Sequence, residues 1–228
     1  MAFKYAEAMP WGRSFDEYRR MFQLTDEDLR RTILGCADGP ASFNAQMFRS
    51  GRRLVSCDPL YQFTAEEIRQ RIDATFKDIM EQSLRNQDQF VWDVMGSPEQ
   101  AGQLRLAAMR DFLADYDTGK SGGRYVPAEL PHLPFADRSF DIALCGHFLF
   151  FYSDSLSMTF HQHAVDELCR VAHEVRIFPL LTYNAEPCSL VDPLIENLRN
   201  AGRAVSIERV SYEFQKGGNK MLRISGAA

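Results

Sequence analysis

The stretch ILGCADGPASF, residues 33–43, followed by RLVSC at residues 53–57, constrains the fold more than any other part of the chain. A short apolar run enters a turn that holds Asp38 and Gly39. A helical segment over residues 42–50 then stops at Gly51, and a second apolar run follows. Strand, turn, helix and strand within about 30 residues is the opening of a parallel sheet, because parallel neighbours need a crossover and a helix supplies one compactly. In an open sheet of this kind a ligand sits at the carboxyl ends of the strands, where the first turn brings bare backbone amides and a helix N-terminus to it. The turn is odd in carrying a charge and in having alanines among its glycines.

The remaining pattern extends the same architecture. Residues 14–31 read as a helix, with Ser14 and Glu17 spaced as a capping box and Phe15, Tyr18, Met21, Phe22 and Leu29 as its stripe. Roughly 60 residues separate the second strand from the next candidate near Arg124, more than a plain crossover needs, so residues 62–118 are read as an insertion. Two amphipathic helices fill it. Thr64 with Glu67 opens one, striped by Ile68, Ile72, Phe76 and Ile79; Ser97 and Pro98 open the other, striped by Leu104, Ala108, Phe112 and Tyr116. They form a cap or lid over either the sheet edge or a ligand cleft. After a loop, TGKSGG, alternation resumes with a strand at 141–145, a helix at 155–171, the strand HEVRIFPL and a helix at 190–200. A strand at 204–212, the turn KGGN and MLRIS then make a hairpin, which puts one antiparallel member in the sheet.

Composition bounds the function classes. With 228 residues, 45% of them apolar and 25% charged, the chain has the makings of a single domain with a sizeable core. A net charge of −5 provides no global basic field for nucleic acid or an anionic membrane, though a local basic patch could still supply one, which favours small molecules or proteins as partners. Five scattered cysteines without C-x-x-C spacing argue against disulfides and structural zinc. The first residues lack the apolar run of a signal peptide, and FLFFY is too short to span a bilayer, so the expected location is the cytoplasm.

Several residues carry candidate chemistry. Asp58 ends the second strand about twenty residues after the first turn, where a carboxylate accepts hydrogen bonds from a ribose diol. Glu129, near the end of the third strand, is placed to meet a base, and the set points to a nucleoside-containing cofactor. His147 follows the fourth strand and is either a general base or a histidine packed under the lid. Tyr152, Asp154 and Glu186 are further candidates at the same end of the sheet. TGKS lacks the first glycine of a P-loop, whose place is taken by Ala114, and the first turn has Ala37, Gly39 and Ser42 where a dinucleotide fingerprint needs glycines. HQH at 161–163 reads as a solvated helix face, since side chains two apart on a helix diverge.

On these residues the chain resembles the class I S-adenosylmethionine-dependent methyltransferases. LGCADGPAS aligns with that family's D-x-G-x-G-x-G, with Gly35 in the acid position and Ala37, Gly39 and Ala41 in those of the glycines. SCDPLY places Asp58 at the acidic end of the second strand, and AELPHLPFADRSFD follows the stretch written D-A-x-x-L-P-F-x-D-x-S-F-D, with Glu129 as the adenine-contacting acid beside the Leu130 amide. The resemblance covers residues 32–57 and 124–225. It implies an α/β, Rossmann-like, doubly wound and mostly parallel sheet of seven strands, the last antiparallel, interrupted by the insertion between strands 2 and 3. It also implies S-adenosyl-L-methionine as cofactor, held by Gly35, Cys36, Ala37, Asp38, Gly39, Asp58, Pro59, Glu129, Leu130, Cys145 and Gly146. Arg13, beside Trp11 and Gly12, would fold over the cofactor and pair with its carboxylate, and His147 would be the base. Asp38 either replaces the acid absent at Gly35 or caps the following helix. The implied activity is methyl transfer to a small molecule. The rivals are a protein or nucleic-acid methyltransferase, with Arg69, Arg71 and Arg85 as a docking rim, and a non-catalytic cofactor-binding protein.

Overall fold

The computed structural model describes residues 10–93 and 95–226. Helix α1 (Phe15–Met21) begins as expected, with Ser14 and Glu17 closing a reciprocal capping box. It stops well before Arg31. Gln23 takes a left-handed conformation, φ 48°, and Thr25 and Asp28 cap each other to start a separate short 3₁₀ turn, Asp28–Arg30. The sequence TDED thus holds a second capping pair that ends one helical segment and opens another.

Strands β1 (Ile33–Cys36) and β2 (Leu54–Cys57) flank α2 (Phe43–Arg49) and pair in parallel. After β2 come α3 (Ala65–Arg85), α4 (Pro98–Ser121) and the two-residue strand β3 (Tyr125–Val126). Then follow β4 (Phe140–Gly146), α5 (Met158–Val171), β5 (Ala172–Phe178), α6 (Val191–Asn200), β6 (Ala204–Arg209) and β7 (Lys220–Ser225). The strand order is β3-β2-β1-β4-β5-β7-β6, a seven-stranded Rossmann-like sheet with helices on both faces. The antiparallel strand is β7, last in the chain but lying between β5 and β6 in space.

Each face has its own core, because successive strand residues point to opposite sides. Ile33, Ile142 and Leu144 pack with α1 and α2 on one face, whereas Leu34, Ala143 and Val175 pack with α5 and α6 on the other. The order reverses between β1 and β4, so the carboxyl ends of these strands diverge into a crevice.

The insertion divides into two parts with different work. Helix α4 is a crossover helix: Met109, Phe112 and Tyr116 pack on Tyr61 and Tyr125 beside the sheet edge. Its last turn runs through Gly119–Ser121, the segment expected as a loop, because Gly119 lies where a Cβ would come within 2.4 Å of the Tyr125 ring, and the helix ends only at Gly122 and Gly123. Helix α3 reaches the crevice instead. The turn after it is fastened to the β6–β7 connection by a β-bridge between Phe90 and Gln215. No helix among the described residues is long and apolar enough to cross a membrane.

Candidate functional site

The crevice is a cleft of about 780 Å³ that opens over the ends of β1, β2 and β4, a size suited to a small ligand. Its walls include Arg13, Cys36 to Gly39, Asp58, Pro59, Glu129, Leu130, Gly146 and His147. Two residues expected here do not line it. Gly35 lies inside β1, and the Cys145 side chain is buried in the core, its thiol pushed up to about 12 by burial.

The first turn explains itself through Asp38. Its carboxylate folds back over β1 and takes the hydroxyl of Tyr18 at 2.8 Å on Oδ1 and that of Ser56 at 2.6 Å on Oδ2. A Cβ built at Gly35 would lie 1.9 Å from Asp38 Oδ2. The acid at position 38 therefore fills the space that a side chain at position 35 would need. It does not cap α2, whose N-cap is Ser42. Burial raises Asp38 to about 7 against its two hydrogen bonds, with the nearby charge of Asp58 adding to the rise. Folding the turn back requires Ala37 at φ 57° and Gly39 at φ 55°, and the left-handed conformation costs a residue with a Cβ about 1–2 kcal/mol.

The turn amides are partly committed. Ala37 N donates to Cys57 O at 2.9 Å, and Gly39 N donates to Asp58 Oδ2 at 2.9 Å. Asp58 Oδ1 accepts from Leu60 N at 2.8 Å and so caps the 3₁₀ turn Pro59–Gln62. Burial raises Asp58 to about 6 despite these two bonds, and Glu129 pushes in the same direction. Each carboxylate oxygen keeps a further lone pair. Glu129 is exposed on the cleft wall, and the neighbouring Leu130 N donates to no group among the described residues.

The segment before α1 closes one end. Gly12 sits where a Cβ would come within 2.1 Å of Pro40 O, so only glycine lets this segment lie against the first turn. Ser42 N donates to Arg13 O at 3.0 Å and fixes it there. Arg13 lines the cleft with its Nε buried and unpartnered among the described residues. Behind it lies a fully buried cation, Arg105 of α4, which donates to both oxygens of Glu17 and to the Tyr212 hydroxyl. Burial would raise Glu17, but the charge and hydrogen bonds of Arg105 outweigh it and hold the carboxyl at about 2. Glu17 is engaged by Arg105, and among the described residues Arg13 makes no salt bridge.

His147 follows β4 at φ 52° and packs edge-on to Phe151 and Phe178. Its Nδ1 is shut off from solvent and has no partner among the described residues. Burial, then the charges of Arg13 and Arg105, hold the imidazole well below its ordinary value, so it is neutral near neutral pH. Tyr152 lines the cleft, whereas Asp154 and Glu186 line a separate shallow hollow. In HQH, His161 is buried rather than solvated, bonded at 2.9 Å to Ser157 O and at 3.0 Å to Leu149 O, and His163 lies on the cleft wall. Among the described residues no three His, Cys, Asp or Glu side chains are placed to hold a metal ion.

Sequence reasoning missed Tyr18 and Ser56, which hold Asp38, and also missed the far wall of Gln82, Phe90, Tyr183, Phe214 and Gln215. Tyr18 looks like an ordinary member of a helical stripe, and the far wall gathers three distant segments. Arg69 and Arg85 pair with Glu66 and Glu81 on α3, and with Arg71 they lie outside the cleft lining.

No family model matches the sequence. The uncharacterized protein MJ0045 of Methanocaldococcus jannaschii is 35% identical over 215 residues, which span 93% of this chain and 94% of that protein. Among solved structures, the N-methyltransferase NodS from Bradyrhizobium japonicum WM9 is similar over 94% of this chain and 97% of its own, at 12% identity and a TM-score of 0.47. Magnesium protoporphyrin IX methyltransferase from Synechocystis PCC 6803, with bound SAM, is similar over 93% and 91%, at 11% identity and a TM-score of 0.43.

Proposed function

The chain belongs to one family with MJ0045 of Methanocaldococcus jannaschii, and from that premise and the chemistry of the cleft we propose that it transfers a methyl group from S-adenosylmethionine to a small-molecule acceptor. The observation that carries this reading is the convergence on one cleft, at the reversal of the strand order, of Asp58, the Leu130 amide and Arg13, the last two without a hydrogen-bonded or acidic partner, respectively, among the described residues. A ligand with a ribose, a base and a carboxylate answers all three.

In this reading Asp58 accepts from the ribose hydroxyls with the lone pairs left over from Gly39 and Leu60. Glu129 and the Leu130 amide take the polar edge of the base. Arg13 pairs with the carboxylate in a partly buried setting where such a bond is strong, and Asp38, closed in over Gly35, presents the acid that meets the ammonium group. When bound, S-adenosylmethionine would supply an electrophilic methyl carbon to an acceptor's lone pair and would be left as S-adenosylhomocysteine. Neutral His147, on the cleft wall, is the side chain that would take the acceptor's departing proton. The main demand on the cleft walls would be to position the acceptor, since methyl transfer depends chiefly on alignment.

Calorimetric titration with S-adenosylhomocysteine tests the reading. The wild-type protein is expected to bind it, and Asp58→Ala to bind at least about tenfold more weakly, which is about 1.4 kcal/mol. A wild-type protein that takes up none would overturn the proposal. Equal affinity in the variant would show that the ribose is held elsewhere.

A further inference from the structure

Resting on the reading of this cleft as the site of both cofactor and acceptor, we propose that the acceptor is an uncharged, flat ring compound with hydrogen-bonding edges. The cleft has two chemically distinct halves. Its charged side chains, Arg13, Asp38, Asp58 and Glu129, all belong to the N-terminal segment and the strand ends. The far half is built by α3, the turn after it and the β6–β7 connection, and among the described residues it presents Gln82, Asn86, Gln89 and Gln215 with no carboxylate, ammonium or guanidinium. An ion that packs against these rings and amides finds no countercharge there for whatever hydration it gives up.

The same half supplies what a neutral ring needs. Phe90 and Phe214 stack with their centroids 4.8 Å apart, and Tyr183 adds a third ring to the wall. Flat aromatic faces favour flat ligands by offset or edge contacts. Side-chain amides offer donors and acceptors together, which suits lactam or ring-hydroxyl edges rather than ions.

These groups are held in place. The Tyr183 hydroxyl donates to Gln82 Oε1 at 3.2 Å, and Gln215 Nε2 donates to Tyr183 O at 3.0 Å. Val91 N donates to Phe214 O at 2.7 Å and Lys216 N to Gln89 O at 2.9 Å, so the turn after α3 and the β6–β7 connection form one surface.

Three bicyclic probes of similar size test the inference by calorimetry on protein saturated with S-adenosylhomocysteine: carbostyril, a neutral lactam; naphthoate; and naphthylmethylammonium. Carbostyril is expected to bind at least about tenfold more tightly than either ion. Gln82 is exposed, so Gln82→Lys leaves the fold intact and is expected to raise naphthoate affinity above that of carbostyril. An ion that binds the wild-type protein as tightly as carbostyril overturns the inference. So does the failure of all three probes, or a lysine variant with unchanged naphthoate affinity. If S-adenosylhomocysteine itself does not bind, the cofactor reading falls, and the same probe series on the protein alone still decides the chemistry of the far half. If it binds while the ions are preferred, only the acceptor inference falls.

Discussion

The two halves of the cleft are built on opposite principles. At the strand ends, charged groups are buried and immobilised by the sheet: Asp38 by Tyr18 and Ser56, Asp58 by two backbone amides. On the insertion side the lining is uncharged among the described residues, and Arg105 lies outside that lining and ties α4 to Glu17 of α1. The sheet thus places its charges on the cleft wall, while α4 uses its buried charge for its own attachment. Cofactor contacts need fixed, low-tolerance geometry, whereas a wall of rings and amides accepts change without leaving a buried charge unpaired.

The largest expected effect tests the attachment. Arg105→Ala strands the Glu17 carboxylate in the core and is expected to lower unfolding free energy in urea by about 3–5 kcal/mol. A loss below about 1 kcal/mol would mean that the insertion is held by apolar packing alone. Next comes the strand-end half. Gly35→Asp puts two carboxylates into one space, and a loss of about 2 kcal/mol or more is expected. Adding Asp38→Gly to the same chain should restore most of it, and a double variant no better than the single one would refute the shared space.

A pH series gives a smaller and more specific effect. The folded-state value of Asp38, about 7, lies above that of a free carboxyl. The fold therefore binds this proton more tightly than the unfolded chain does, and the stabilisation is present at acid pH and lost as pH rises through 7. Relative to Asp38→Asn, wild type should lose stability between about pH 4 and 7, by at most about 1.4 kcal/mol per pH unit, and level off above. Asp58 titrates in both proteins, so the difference reads Asp38. The smallest effect is electrostatic. Arg13→Gln removes one of the two cations that depress His147, so its imidazole resonance should titrate at higher pH in the variant. A downward shift would contradict the arrangement.

The fold was legible in the sequence because its signals are local: the capping pairs Ser14–Glu17 and Thr64–Glu67 and the strand–turn–helix of residues 33–50 act through neighbours. The exceptions were local conflicts. Thr25 with Asp28 divided an apparent helix, and tight packing of Gly119 on Tyr125 kept a glycine-rich stretch helical. In the site, Asp58, Glu129 and the first turn were readable from their places at strand ends. The fate of Asp38 was not, since it depends on Tyr18 and Ser56, each about twenty residues away along the chain. The far wall was invisible for the same reason on a larger scale, joining residues near 82 to residues near 215.

The room above Gly35 also says something about how such chains can change over time. It admits one carboxylate, from position 35 or from position 38. A single replacement at either position leaves two acids crowded together or none at all, so the exchange is a paired step across an unfavourable intermediate. Relatives should fall into two groups, with an acid at one position and a small residue at the other. A search that looks for the acid in one fixed column will pass over one of the two groups.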